Sequence, residues 1–388
     1  MTPEPNARQR ILRAATTVVV KVGTNVLADA AGVLDRHRIQ SLADQVQRVR
    51  VGGRRVALVT SGAIGAGVGK LGLGTRPTDL PHLQACAAVG QAALMQLYQE
   101  SLNRYGVMTA QLLLTAGDFD NRARYLNVRN TIATLFEYGA LPVINENDTV
   151  SVAEIKFGDN DQLAAMTANL LQAPLLVLLT NVDGLYSADP REDPTAELVP
   201  TVEAIDAGVT GFAGATKSRL GTGGMRSKLK AARIATSAGG AVVMANGALD
   251  GILDRVFAGE EVGTLFLPQG DAMPAWKRWL GYTAQPRGEL LLDAGAVRAV
   301  VEQGKSLLPV GVRGVRGDFG KGDVVSLLDP AGREFARGLS NYAAADATRL
   351  AGRTSDALAR DGGASPPYAE LIHRDNLVVV GTTGEPGA

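Results

Sequence analysis

Residues 18–25, VVVKVGTN, are the stretch that decides the fold. The run of valines predicts a buried strand, and the glycine after it predicts a tight turn. This strand carries one cation, Lys21, which is unfavourable in an apolar strand unless its ammonium meets an anion. The sequence therefore makes Lys21 a candidate anion contact. The alternative is an edge-strand lysine whose ammonium reaches water.

Outward from this stretch, short apolar runs alternate with segments of helical period, which is the pattern of βαβ units. The predicted strands are Thr17–Lys21, Val56–Thr60, Thr109–Leu114, Leu141–Ile144, Leu175–Thr180 and Ala241–Ala245. The predicted helices are Asp35–Val51, Leu83–Arg104, Asn127–Tyr138, Gln162–Leu171 and Met225–Ser237. The alternation predicts an α/β fold with a parallel, helix-covered sheet, whose ligands collect at the carboxyl ends of its strands.

The character of the sequence changes after about Leu267, where Pro268, Pro274 and Pro286 flank an aromatic segment and predict a linker. Beyond it, turn residues separate short apolar runs, which predicts a small β-rich module. Its predicted strands are Glu289–Leu292, Leu308–Val312, Asp323–Leu328 and Arg333–Gly338. We therefore expect a first domain over residues 1–267, a linker over 268–286, a second domain over 287–375 and a tail over 376–388.

The composition argues against several classes of protein. Lysine plus arginine equals aspartate plus glutamate at 39 each, so there is no basic excess of the kind that favours nucleic-acid binding. The single Cys86 cannot form an intramolecular disulfide, and no apolar run approaches the ~20 residues that span a bilayer. We therefore expect a cytoplasmic protein. His37, His82 and His373 are dispersed, so they give no metal-ligand spacing.

A glycine-rich segment, TSGAIGAG at residues 60–67, follows the second predicted strand. Small residues let backbone amides approach a carboxylate or phosphate, and the following helix start adds a favourable field. The alternative is tight helix packing. The neighbouring Gly65–Lys70 is not a P-loop, because Ile64 and Leu71 stand where that motif needs Gly and Ser or Thr.

Amides and carboxylates concentrate in NEND at residues 145–148 and in GDND at residues 158–161. Such groups at a strand end and a helix start can bind the ammonium and the carboxylate of an amino acid. The alternative is turn and cap chemistry, with Asp159 or Asn160 capping the helix predicted from Gln162.

A further glycine turn, LGTGGMRSK at residues 220–228, opens a predicted helix. Arg226 and Lys228 lie in the first turn of that helix, where cations oppose the helix dipole. A phosphate held by the turn amides would reverse the sign of this interaction. The alternative is a pair of solvated surface cations.

In order and spacing, these motifs together resemble the amino acid kinase family, and among its members those that phosphorylate glutamate. The fit extends from about Thr17 to Leu267 and rests on KVGT at 21–24, TSGA at 60–63, VINEND at 143–148, GDND at 158–161, GLY at 184–186 and GTGGM at 221–225. The segment from about Arg287 to His373 is similar to the PUA domain found appended to many members of that family.

The resemblance implies a three-layer α/β/α sandwich with a mainly parallel sheet. It also implies transfer of the γ-phosphoryl of ATP to the γ-carboxylate of L-glutamate, the first step of proline synthesis. Catalytic roles are implied for Lys21, Lys228 and Asp161, and glutamate contacts for Ser61, Asn145, Asp148 and Asn160. ATP contacts are implied for Lys21, Gly23, Thr180, Asn181, Thr222, Gly223, Gly224, Met225, Arg226, Ser227 and Lys228. Asn181 departs from the family, which usually has Asp there.

Magnesium is expected to arrive on the ATP phosphates rather than on protein ligands. Family membership further suggests proline as a feedback inhibitor, a homo-oligomer, and association with the next enzyme of the pathway, without membrane or nucleic-acid partners. Two alternatives stay open. One is a kinase for another small acid, such as aspartate, acetylglutamate, carbamate or a nucleotide. The other is RNA binding by the PUA-like segment, which lacks a dense cationic run with interleaved aromatics.

Overall fold

The computed structural model describes residues 6–28, 33–151, 160–212, 224–269, 277, 279–353 and 368–380. The chain divides into two compact units, residues 1–272 and 273–388, and this boundary lies inside the segment predicted as a linker. Within the described ranges, no helix is both long and apolar enough to cross a membrane.

The first unit is built on one large sheet. Its strands are β1 Thr17–Val22, β2 Arg55–Val59, β3 Thr109–Leu114, β4 Leu141–Glu146, β5 Leu175–Thr180, β6 Thr201–Val202, β7 Ala241–Asn246 and β8 Thr264–Phe266. They lie in the order β3-β4-β2-β1-β5-β7-β8-β6. Neighbouring strands are parallel except for β7 and β8, which run antiparallel. The prediction of a mainly parallel sheet is therefore confirmed.

Helices cover both faces of this sheet, giving three layers. They are α1 Ala7–Ala14, α2 Thr24–Leu27, α3 Arg36–Val51, α4 Ala63–Lys70, α5 Leu80–Asn103, α6 Ala116–Asp120, α7 Arg122–Glu137, α8 Asn160–Leu171, α9 Ala207–Gly211, α10 Met225–Ser237 and α11 Ile252–Ala258. The sequence did not predict the short helices α1, α2, α6, α9 and α11 or the short strands β6 and β8, and for α4 it indicated only a helix start without bounds.

The alternation of side chains along β1 explains where Lys21 points. Val18, Val20 and Val22 belong to the core cluster that also contains α3 and α5 residues. Because successive side chains of a strand face opposite sides of the sheet, Lys21 lies on the other face, where α8 packs on β1.

Two helices begin earlier than their apolar periodicity predicts, because a capping residue sets the first turn. The Asp79 side chain accepts a hydrogen bond from the backbone N–H of His82, so α5 begins at Leu80 rather than Leu83. In the same way Asn121 caps α7, which begins at Arg122 rather than Asn127.

Helices α4 and α5 touch backbone to backbone. A methyl group at Gly67 would lie 1.8 Å from the carbonyl oxygen of Cys86, and one at Gly90 would lie 1.8 Å from the carbonyl oxygen of Ala63. Glycine at both positions is therefore a packing requirement. Gly62, in the turn before α4, has φ of 98°, a conformation that other residues rarely adopt.

The second unit contains a smaller sheet with strands β9 Gly288–Leu292, β10 Val312–Gly317, β11 Val324–Leu328, β12 Glu334–Leu339 and β13 Leu377–Val379. These strands lie in the order β10-β9-β11-β12-β13 around a separate core. The described part of this unit also contains two α-helices that the sequence did not predict, α12 Ala294–Val301 and α13 Ala344–Leu350, and a π-helix over Trp279–Thr283. The predicted strand Leu308–Val312 is wrong: Pro309–Gly311 form a 3-10 turn, since Pro309 lacks an N–H for pairing, and β10 begins only at Val312.

A largely buried ion pair lies on β12. Arg337 Nε donates to Glu334 Oε1 at 2.7 Å and Arg337 Nη2 donates to Glu334 Oε2 at 3.1 Å. Ser326 Oγ, on the neighbouring β11, donates to Glu334 Oε1 at 2.6 Å. Burial alone would raise the pKa of Glu334, but the hydrogen bonds and charge of Arg337, with the Ser326 bond, hold that pKa below its ordinary value.

Candidate active site

The carboxyl ends of β1, β2, β4 and β5 meet at one edge of the large sheet, as parallel pairing requires. Lys21 lies near the end of β1 and Thr60 directly follows β2. Asn145 and Glu146 end β4, and Thr180 ends β5. All four of these strand ends carry residues that the sequence singled out, so this edge is the candidate active site.

A carboxylate shared by two lysines lies at the centre of this edge. Lys21 Nζ is 2.6 Å from Asp161 Oδ1, and Lys228 Nζ is 3.0 Å from Asp161 Oδ2. The side chain of Asp161 is 1% exposed, that of Lys21 is 5% exposed and that of Lys228 is 11% exposed. The structure thus brings together the three residues for which the sequence implied catalysis, one from each of β1, α8 and α10.

The surroundings of these lysines decide between the alternatives left open by the sequence. Lys21 is not an edge-strand lysine, because β1 lies between β2 and β5. Lys228 is not a solvated surface cation, since Asp161 holds it in the interior. Arg226, two residues earlier in α10, is exposed, so the surface interpretation fits that residue alone.

A cluster of amides lies beside the lysines. Asn160 Nδ2 donates to the carbonyl oxygen of Thr60 at 2.6 Å, to Asn145 Oδ1 at 2.8 Å and to Ser61 Oγ at 3.0 Å. The hydroxyl groups of Thr60 and Tyr98 lie 3.0 Å apart, and complete burial raises the pKa of Tyr98. This network fixes three of the four residues for which glutamate contacts were implied: Ser61, Asn145 and Asn160.

The cap role considered for Asn160 is wrong. Helix α8 begins at Asn160 itself rather than at the residue after it, and the Nδ2 of Asn160 reaches back to the ends of β2 and β4. Asp159, the other candidate cap, lies outside the described residues, as does Gly158.

The fourth residue, Asp148, lines a cavity of about 300 Å³ next to the end of β4. Ala63, Ala87, Ala88, Ala92 and Leu113 form its apolar wall. Its polar wall consists of Gln91, Gln111, Glu146, Asn147, Asp148 and Thr149. The Glu146 side chain accepts a hydrogen bond from Ser151 Oγ at 2.7 Å. The cavity has the volume of a small-molecule site and a carboxylate-rich wall that suits a cationic group.

Gly23, Thr180 and Asn181, for which ATP contacts were implied, lie at the ends of β1 and β5, whereas the amide cluster lies at the ends of β2 and β4. The Gly23 N–H donates to the carbonyl oxygen of Leu179, and the Thr180 hydroxyl lies 3.3 Å from Asn181 Oδ1. Asn181 is exposed, so its departure from the usual Asp changes a side chain that faces solvent.

Helix α10 contains four more of the residues for which ATP contacts were implied, 225–228. Gly224 is its N-cap residue and Met225 its first residue. Within the described part of the chain, the buried Ser227 Oγ has no hydrogen-bond partner. Thr222 and Gly223 lie outside the described residues.

The sequence missed Gln91, which lies in α5, far along the chain from every motif. Asn145 Nδ2 donates to Gln91 Oε1 at 2.8 Å, so Gln91 joins the amide cluster. The signal was faint: one amide among the small residues of ACAAVGQAA at positions 85–93. A polar residue on the buried face of such a helix indicates a specific partner, because burial without one is unfavourable.

Comparison with known proteins accounts for this geometry. Residues 16–246 match the amino acid kinase family, and residues 288–361 match the PUA domain. The chain therefore belongs to the amino acid kinase family, whose members are ATP-dependent kinases, and carries a PUA domain.

Similar proteins indicate which kinase of this family the chain resembles. A protein of Moorella thermoacetica described as glutamate 5-kinase is 46% identical over 370 residues, covering 95% of this chain and 98% of its own. Glutamate 5-kinase of Pseudomonas aeruginosa PAO1 is 48% identical over 364 residues, covering 93% and 97%. Among solved structures, carbamate kinase from Giardia lamblia covers 66% of this chain and 99% of its own, with 16% identity and a TM-score of 0.48.

Proposed function

We propose that this chain is an ATP-dependent kinase that phosphorylates the γ-carboxylate of L-glutamate, the first step of proline synthesis. The end-to-end similarity to curated glutamate 5-kinases carries the proposal. The site supports it, since cations for a phosphoryl group lie beside an amide cluster and an acidic cavity suited to an amino acid.

In the reaction, one γ-carboxylate oxygen of glutamate forms a bond to the γ-phosphorus of ATP. The bond from that phosphorus to the bridging oxygen breaks, and the electron pair leaves with ADP. The product is L-glutamyl 5-phosphate. Because the carboxylate is already ionised near pH 7, no general base is needed, and catalysis consists of positioning and charge stabilisation.

Lys21 and Lys228 supply the charge stabilisation in this proposal. Their ammonium groups donate to the oxygens of the transferred phosphoryl as it passes between ATP and glutamate. Asp161 is a positioning residue, since it holds one lysine on each oxygen and so fixes the distance between them.

Ser61, Asn145, Asn160 and Asp148 bind glutamate in this proposal. Ser61, Asn145 and Asn160 are fixed by the amide cluster at the strand ends, and Asp148 faces the substrate ammonium from the cavity wall. The nucleotide contacts Gly23, Thr180 and Asn181 at the ends of β1 and β5 and residues 224–228 at the start of α10 in this proposal.

Magnesium fits this arrangement as a companion of ATP. Among the described residues, no group of three or more His, Cys, Asp or Glu side chains could hold a metal ion, and both oxygens of Asp161 face lysines. The donor set suits phosphate oxygens, so bound Mg²⁺ would be held by ATP and would neutralise part of the phosphate charge. Feedback inhibition by proline, a homo-oligomer, and association with the next enzyme of the pathway belong to the same proposal.

The test is a coupled assay of ADP release with ATP, Mg²⁺ and a panel of acids: glutamate, aspartate, acetylglutamate, carbamate and UMP. Hydroxylamine added to the reaction traps an acyl phosphate as a hydroxamate, so it identifies the phosphorylated group. We expect turnover and hydroxamate with glutamate. Preferential turnover of another acid would contradict the proposal.

A further inference from the structure

Gln91 combines burial, a fixed orientation and a donor without an acceptor. Its side chain lines the cavity, and the residue is 7% exposed. Its Oε1 accepts a hydrogen bond from Asn145, whereas its buried Nε2 has no hydrogen-bond partner within the described parts of the chain. A buried amide nitrogen is unfavourable without an acceptor, so this group is a candidate ligand contact.

The orientation of Gln91 follows from backbone groups at the other end of the amide cluster. The Thr60 carbonyl can only accept, so Asn160 must present its Nδ2 there. The backbone N–H of Glu146 can only donate, so Asn145 must present its Oδ1 to it. Asn145 Nδ2 is then left to donate to Gln91 Oε1, and Gln91 Nε2 must point away from Asn145.

The cavity wall indicates which ligand group the Gln91 donor would meet. The wall contains two carboxylates, Glu146 and Asp148, and neither lysine nor arginine among the described lining residues. An ammonium group suits the carboxylates. A carboxylate in the same cavity must instead be bound by neutral donors, and the Gln91 amide is the buried one.

We propose that Gln91 determines specificity by donating from Nε2 to the α-carboxylate of the amino-acid substrate. This inference rests on the proposed phosphorylation of glutamate and assigns the end of the substrate that does not react. The α-carboxylate and ammonium lie in the cavity, and the γ-carboxylate extends past Asn145 and Asn160 toward the lysines that Asp161 holds.

The experiment compares Gln91→Glu and Gln91→Met with Gln96→Glu in the full-length chain. Gln91→Glu keeps the acceptor for Asn145 but replaces the donor by a negative oxygen, and Gln91→Met removes both groups at similar size. Gln96 is an exposed residue of the same helix α5 that is not among the residues lining the cavity, so Gln96→Glu controls for added charge. Thermal melts check that each variant is folded.

We expect both Gln91 variants to raise the glutamate KM by about tenfold or more, Gln91→Glu the more strongly, with the ATP KM unchanged. Gln96→Glu should leave the glutamate KM within about threefold of wild type, since an exposed charge outside the cavity is screened. Equal effects of Gln91→Glu and Gln96→Glu, or a glutamate KM in both folded Gln91 variants within about threefold of wild type, would overturn the assignment.

Two substrate analogues locate the contact. Glutarate lacks the ammonium and keeps both carboxylates, whereas 4-aminobutyrate lacks the α-carboxylate. As competitors of glutamate in Gln91→Met, glutarate should bind about tenfold more weakly than in wild type and 4-aminobutyrate about equally well. Equal weakening of both would show that Gln91 acts only through the shape of the pocket. If wild type does not turn over glutamate, the proposed function fails; if wild type does and the Gln91 variants match it, only the Gln91 assignment fails.

Discussion

Two buried ion pairs, one in each unit, use carboxylates in opposite ways. Glu334 gives both oxygens to a single guanidinium three residues along the same strand, and a serine hydroxyl completes its contacts. Asp161 gives one oxygen to each of two lysines that lie 140 residues before it and 67 residues after it in the chain. The Glu334 pair is formed within one strand, whereas the Asp161 cluster is assembled from three segments that are far apart in the sequence.

The difference separates structure from function. A bidentate arginine pair is a strong and specific way to hold a strand in place, because its geometry matches both carboxylate oxygens. Two ammonium groups collected around one carboxylate in the interior bring in a second cation that a purely structural pair would not need. We therefore expect the Asp161 cluster to control activity and the Glu334 pair to control stability.

The largest expected effect tests whether the lysines of the Asp161 cluster act in catalysis. Lys228→Met should lower kcat by about 10²-fold or more, because the ammonium acts on charge that develops at the transferred phosphoryl. The glutamate KM should stay within a few fold. Steady-state kinetics measure both, with Lys230→Met as the control on an exposed position of the same helix. A folded Lys228→Met protein with kcat within about threefold of wild type would make this lysine a structural cation.

The next effect separates the substrate cavity from the lysine cluster. Asp148→Asn should raise the glutamate KM by about tenfold or more, since it removes a carboxylate that faces the substrate ammonium. The ATP KM should hardly change. Titration of each substrate at saturation of the other gives both constants, and equal losses for glutamate and ATP would indicate a damaged fold instead.

A third experiment asks whether the two ion pairs belong to independent units. A chain ending at residue 272, the boundary between the compact units, should fold and keep glutamate-dependent kinase activity within about threefold of the full-length chain. Circular dichroism establishes folding before activity is measured. A folded truncated protein without activity at saturating substrates would place residues of the second unit in the catalytic machinery.

The smallest expected effect tests whether the Glu334 ion pair contributes to stability. Glu334→Gln should leave kcat unchanged and lower a calorimetric unfolding midpoint by roughly 5 °C at pH 7. Because the pKa of Glu334 is lowered in the folded state, its ionised form contributes stability above its unfolded pKa, and that contribution is lost as the pH falls through the folded pKa. The gap between wild type and variant should therefore close as the pH falls below the ordinary glutamate pKa of about 4.3 and through the lower folded pKa. A gap that is independent of pH would mean that the charge of Glu334 contributes nothing.

The sequence predicts those parts of the fold whose signals are local. Strand Leu175–Thr180 and helix Met225–Ser237 have the predicted bounds, because each is an apolar pattern closed by nearby turn residues. Lys21 was a candidate for the same reason: a cation inside a valine run is unfavourable without a partner. Which residue pairs with Lys21 depends on how α8 packs on β1, which the pattern alone does not contain.

The sequence predictions that failed have a different cause, which is competition between local and tertiary contacts. Asn160 stands where a cap would stand, but the ends of β2 and β4 offer it more hydrogen bonds than its own helix does. Gln91 carries no motif, because its role arises only when Asn145 is brought beside it. Helix starts at Leu80 and Arg122 were missed because capping residues extend helices beyond their apolar periodicity.

The glycine contact between α4 and α5 limits how such an enzyme could evolve. With Gly67 against Cys86 and Gly90 against Ala63, neither helix can shift outward or slide without losing the contact. Widening the cavity by moving these helices apart would therefore sacrifice this packing. Natural selection can instead exchange the small side chains of α5 that line the cavity, Ala87, Ala88 and Ala92. In a randomised library selected for a longer or shorter acid, adaptive changes should accumulate at these alanines, while both glycines stay unchanged in every survivor.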